Sequence, residues 1–146
     1  MIRPNKEIML QVIDYAKKKN NIAAFIVKDD IIISKAINTT THINQSTKHA
    51  EINAIEKASK ILKNRHLKNC WLYTSLEPCV MCASASCWAR LKGVVYCLNE
   101  NDAPFMNNSK HNYIDISADY VFSKSKYSPI LIKNYLRKEG LKKGLF

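Results

Sequence analysis

Long apolar runs are missing from this 146-residue chain: no stretch approaches the roughly 18 residues that a membrane-spanning helix requires. Internal repeats and low-complexity segments are missing too, and the length suits a single domain, residues 1–146, that buries a core without disulfide help. Five cysteines make an odd count with no dense framework, which argues against a secreted disulfide scaffold and for reduced thiols. The polar opening Arg3-Pro4-Asn5-Lys6-Glu7 adds to the expectation of a cytoplasmic protein. Acid is scarce: 12 acidic residues stand against 23 basic ones, a net charge of +11. Such an excess raises encounter rates with polyanions, so RNA is a candidate partner. A lysine-rich solvated surface is the competing reading, and it fits the preponderance of Lys over Arg, because phosphate recognition favours Arg where bidentate geometry matters. Seven basic residues lie in the last 24 positions against one acid, Glu139, so any polyanion contact is expected there.

The apolar pattern divides the chain into alternating elements. Ile8, Met9, Val12, Ile13 and Ala16 recur at helical spacing and predict an amphipathic helix over about 5–19. Ala23–Lys28 and Ile31–Ile37 are β-rich runs whose two-residue separation, Asp29-Asp30, predicts a hairpin. A polar loop over 38–48 leads to a helix from about His49 to Leu62, with Ser46 or Thr47 as its cap and burial on two sides. Trp71–Ser75 reads as a short strand, Pro78 as the first turn of a helix reaching about Leu91, and Val94–Cys97, after a turn at Gly93, as a fourth strand. A short fifth strand is expected near Tyr120–Phe122. Ser128-Pro129 should open a final helix, with Leu131 and Tyr135, Ile132 and Leu136 spaced four apart and Gly140 as its stop. Strands alternating with helices point to an α/β layered domain with some parallel strands.

The chemistry concentrates in two places: His49-Ala50-Glu51, and Leu76-Glu77-Pro78-Cys79-Val80-Met81-Cys82. Two thiolates and one imidazole are three zinc ligands. A structural zinc usually has four protein ligands, whereas a catalytic zinc keeps one position for water and lowers the pKa of that water towards roughly 7. A lone Cys-x-x-Cys is also a redox pair or half of a four-cysteine site, but the chain has no second one. Cys79 and Cys82, one helical turn apart, share a face and grip one ion. Glu51, two residues from His49, is the natural proton carrier beside a metal-bound water. Cys70, Cys87 and Cys97 read as small buried hydrophobes, and His42, His66 and His111 take no role.

His-x-Glu followed by Pro-Cys-x-x-Cys is the signature of the zinc nucleobase deaminases, and over residues 5–100 the chain resembles that superfamily. Leu76-Glu77-Pro78-Cys79-Val80-Met81-Cys82-Ala83 is similar to the tRNA adenosine deaminases, while Tyr73-Thr74-Ser75 and Trp88-Ala89-Arg90 are similar to the guanine and nucleoside deaminases. The resemblance implies a three-layer α/β/α cytidine deaminase-like domain with a mixed central sheet of about five strands, bound Zn2+, and a homodimer. It implies that His49, Cys79 and Cys82 hold the metal, that Glu51 is catalytic, and that Asn38, Ala50 and Trp88 contact substrate. Trp88 at core packing and Asn38 as a turn residue are the plain alternatives. Two departures stand out: Asn21-Ile22-Ala23-Ala24 replaces a Pro-Phe-Gly-Ala or Pro-Val-Gly-Ala segment, and Lys48 replaces the alanine before the ligand histidine. Glycine occurs only at 93, 140 and 144, so the glycine-bearing loop of the tRNA enzymes after the fourth strand is absent. The expected substrate is therefore a purine base or nucleoside, guanine deaminase-like, with a tRNA-specific adenosine deaminase as the alternative. A zinc-stabilised RNA-binding domain without activity is the remaining one.

Overall fold

The computed structural model describes residues 3–107 and 113–146. Helix α1, Lys6–Lys19, is capped by Asn5, whose side chain accepts the Ile8 N–H, and Lys17, Lys18 and Lys19 face its negative end. Strands β1 (Ala23–Lys28) and β2 (Ile31–Ile37) form the expected hairpin. Asp29 and Asp30 both have positive φ, 50° and 60°, the conformation that a two-residue turn needs to follow the strand twist. Then follow α2 (Ala50–Leu62), β3 (Cys70–Leu76), α3 (Val80–Trp88), β4 (Gly93–Leu98), α4 (Ala118–Lys124), β5 (Ile130–Ile132) and α5 (Arg137–Lys143).

The sheet order is β2-β1-β3-β4-β5, with β1 antiparallel to both neighbours and β3, β4 and β5 parallel. This is the mixed five-stranded sheet of the expected fold, covered on both sides. Side chains alternate along each strand. Phe25, Val27, Tyr73, Val95 and Cys97 meet Ile8, Met9, Val12 and Ile13 of α1 on one side. Ala24, Ile26, Leu72 and Val94 meet Ala50, Ala54 and Ala58 of α2, Ala83 of α3 and Phe122 of α4 on the other.

Strand direction positions the site. Because β1 is antiparallel to both β2 and β3, those two run the same way, and Ile37 and Thr74 pair with the adjacent Ala23 and Ala24. The carboxyl ends of β2 and β3 therefore leave the sheet side by side, and so the helices that follow them, α2 and α3, start together. A crevice outside strand carboxyl ends is where α/β sheets place their ligands.

Several expectations are corrected. Tyr120–Phe122 lies in α4, whose start is capped by Ser117 accepting the Tyr120 N–H at 3.1 Å, and the fifth strand is Ile130–Ile132 instead. No helix opens at Ser128-Pro129: the four-apart pairs belong to β5 and to a bend with positive φ at Asn134 and Leu136. Gly140 does not stop the last helix but sits buried inside α5, where an added Cβ would lie 2.6 Å from Cys97 Sγ, and Gly144 (φ 72°) ends it. Gly93 is not a turn but the first residue of β4. His49, rather than Ser46 or Thr47, is the N-cap of α2, which buries one stripe of small residues and leaves Ile61 exposed. Pro78 precedes Cys79, the N-cap of α3, and positive φ at Arg90 ends that region before Leu91. His111 lies outside the described residues.

Candidate metal centre

His49 and Cys79 occupy the N-cap positions of α2 and α3, and neither side chain caps its helix. Both side chains turn instead towards a common point. His49 Nδ1 lies 3.5 Å from Cys79 Sγ and 3.6 Å from Cys82 Sγ. Zinc bonds of about 2.3 Å to sulfur and about 2.0–2.1 Å to nitrogen, at tetrahedral angles, separate an N and an S ligand by about 3.6 Å. The three side chains thus fit the ion as they stand, and they are the one such cluster among the described residues. Two helix N-termini point positive ends at the same place, which favours thiolate.

The protonation pattern fits a metal cradle. The Cys82 thiol donates to Cys79 and, with a smaller contribution from His49, holds its pKa down to about 4 despite burial. Cys82 is pushed far up by that same hydrogen bond and by burial. His49 is raised, first by its hydrogen bond with Cys79. Glu51, in the first turn of α2 and only 4% exposed, has its pKa pushed up to about 7 by burial first and by the nearby Cys79 charge second. A carboxyl balanced near neutral pH both takes and returns protons.

Buried hydroxyls brace the ends of the elements. Thr74 Oγ1 donates to Leu76 O at 3.0 Å, Ser75 Oγ accepts the Ala23 N–H at 3.0 Å, and Ser86 Oγ donates to Cys82 O at 2.8 Å. Lys48 turns away to pair with Glu56. Glu77, beside Pro78-Cys79, accepts the Glu100 N–H at 3.4 Å, and the charges of Glu77 and Asp115, after burial, raise Glu100. Glu77, Glu100 and Asp115 therefore lie near one another.

The remaining site residues fall in different places. Asn38 follows β2 directly; its backbone N–H donates to Ile22 O, and its Oδ1 accepts the Thr40 N–H at 3.0 Å, while its Nδ2 has no hydrogen-bond partner among the described residues. Asn21, at the departure from the family pattern, donates from Nδ2 to Asn38 O at 2.9 Å. Ala50 is fully buried between His49 and Glu51. Trp88 stands six residues past Cys82 at the other end of α3, 84% exposed, in a separate groove with Ile55, Arg90 and Val121. Cys70 and Cys97 are buried, whereas Cys87 is half-buried on that groove. Sequence reasoning missed Asn21 and Asn53, although a polar residue one turn beyond a ligand, as Asn53 is, signals support for that ligand.

A model of the cytidine and deoxycytidylate deaminase zinc-binding region matches residues 5–98. The chain belongs to that family. Within it, residues of the chain are 50% identical over 80 positions to a guanine deaminase of Bacillus subtilis, covering 55% of this chain and 51% of that one. A tRNA-specific adenosine deaminase of Aquifex aeolicus is 39% identical over 82 positions, covering 56% and 54%. The chain thus spans about half the length of these two curated relatives. A solved chain from work on A-to-I editing by tRNA:A34 deaminases superposes with a TM-score of 0.72 at 28% identity, covering 94% of this chain and 96% of that one. Membership makes zinc the metal for the His49, Cys79 and Cys82 cradle.

Proposed function

We propose that this deaminase-family chain hydrolyses the exocyclic C–N bond of a purine base or nucleoside, guanine foremost, releasing ammonia. The observation that carries a purine base over a polyanion is the 50% identity over 80 residues to a guanine deaminase, against 39% over 82 residues to a tRNA-specific adenosine deaminase.

Zinc held by His49, Cys79 and Cys82 would supply a Lewis acid beside the reacting carbon. The chain's own residues carry the protons. A Glu51 carboxylate oxygen accepts one proton from water, and the water oxygen bonds to the purine carbon. Glu51 passes that proton to the ring nitrogen, takes the second, and delivers it to the amine as the C–N bond breaks, so one water enters and one ammonia leaves. Burial and the Cys79 charge suit Glu51 to both directions of transfer. Asn38 Nδ2 orients the base. A second copy packed over the exposed Trp88 face, with Ile55 and Val121, makes the working unit a homodimer.

The test is ammonia release from guanine, adenine, their nucleosides and a tRNA anticodon hairpin, each at low and moderate salt. Turnover of a free base that is indifferent to salt is the expected result. Superposition over 94% of the chain on a solved chain from work on tRNA:A34 deaminases and the basic carboxyl end favour the second reading, tRNA adenosine deamination. Activity confined to the hairpin and collapsing as salt rises establishes that reading in place of the first.

A further inference from the structure

The crossing from β2 to α2 runs from Asn38 to His49, and both its ends meet at one side chain. Asn53 donates from Nδ2 to Ile37 O at 3.0 Å, to Thr39 Oγ1 at 2.8 Å and to Lys48 O at 3.2 Å. Ile37 is the last residue of β2, Thr39 follows the proposed substrate contact, and Lys48 precedes the metal ligand. The Thr39 N–H also donates to Lys48 O at 3.0 Å, which closes the neck, and the Asn53 N–H donates to His49 O at 3.0 Å. Residues 41–47 are all exposed, and backbone bonds fold them onto the stems, Ile43 N–H to Thr39 O, Gln45 N–H to Thr40 O and Lys48 N–H to Gln45 O, so Asn53 is the side chain that joins the two stems to α2.

We propose that Asn53 is a positioning residue whose amide holds Asn38 and His49 in register, aligning the substrate side of the site with its metal side. The inference rests on the reading of Asn38 given above. Three oxygens converge on one atom, so the position needs a donor with two N–H groups, one of them shared. The opposite amide orientation would set Oδ1 against two carbonyls, which fixes the orientation chosen. A carboxylate at 53 donates nothing and faces those same oxygens, and alanine leaves Lys48 O to the Thr39 groups alone.

The experiment compares wild type, N53A and N53D with Co2+ in place of zinc, and then with the deaminated purine. Folded variants should bind one metal per chain but show a changed visible Co2+ spectrum and metal affinity weakened at least threefold. Their kcat/KM should fall about tenfold or more, mainly through KM, and N38A combined with N53A should lose little more than the worse single variant, because both act on one contact. A lowered Tm with wild-type spectrum, metal affinity and KM would overturn the proposal. Should N53D not accumulate folded, T39V, which removes one of the three acceptors, substitutes for it: a smaller change in the same direction supports the role, and an unchanged spectrum and KM overturn it. The spectrum and metal affinity need no substrate, so a wild type inert towards purines defeats the functional reading while Asn53 is still judged.

Discussion

His49 Nδ1 stands 3.5 Å from Cys79 Sγ, thirty residues later in the chain, with Cys82 Sγ closing the triangle at 3.6 Å from the same nitrogen. An ion there ties the start of α2 to the start of α3. Cys82→Ser should reduce zinc from about one per chain to a small fraction and lower Tm, since a hydroxyl is a far weaker ligand than thiolate. Elemental analysis of the purified variant checks this, and full zinc occupancy would count against the cradle.

Glu51→Gln keeps the side-chain volume and removes the proton acceptor. Zinc content and Tm should stay near wild type while kcat falls about 10²- to 10⁴-fold. Wild-type turnover in a zinc-replete E51Q protein would falsify the acid/base role.

Metal affinity should depend on pH in a definite direction. Without metal, Cys79 is already a thiolate at neutral pH, whereas Cys82 keeps its proton and His49, its pKa raised, keeps its own further up the scale. Zinc must displace these protons, so acidification weakens binding by about tenfold per pH unit for each proton released. Chelator competition at several pH values measures the slope, and calorimetry in buffers of different ionisation enthalpy counts the protons. A pH-independent affinity between pH 6 and 8 contradicts the protonation pattern.

A Cβ added at Gly93 would lie 2.2 Å from the Trp71 ring, at the point where β3 and β4 first pair. Gly93→Ala should cost about 1–3 kcal/mol by overpacking, visible as a lower Tm, with zinc content unchanged because the metal lies at the opposite end of β3. A Tm equal to wild type would show that the indole moves aside freely.

Legibility followed the range of the forces involved. Helix α1, the Asp29-Asp30 turn and the two ligand stretches are set by neighbours within a few residues, and the chain announces them: apolar residues at helical spacing from Ile8 to Ala16, two turn residues between β-rich runs, ligands one helical turn apart. Strand β5 is only three residues long and exists because Leu131 pairs in parallel with Val94, a contact no local pattern encodes. The four-apart spacing of Ile132 and Leu136 imitates a helix, yet positive φ at Asn134 and Leu136 bends the chain between them. At the site, the His49, Cys79 and Cys82 set was readable because metal chemistry restricts the residue types. The Asn53 clamp was not, because its acceptors are mostly backbone carbonyls, which leave no trace in side-chain identity.

The closed neck at Thr39 and Lys48 has a consequence for engineering. Once the two stems are pinned, the entropy of the intervening segment depends only weakly on its length, each doubling costing about 0.6 kcal/mol. The solvent-facing arc from 41 to 47 is then a natural insertion point beside the metal cradle: a peptide tag or a longer loop grafted there replaces the arc's own turns, such as Ile43 N–H to Thr39 O, while the Asn53 bonds to the stems stay in place.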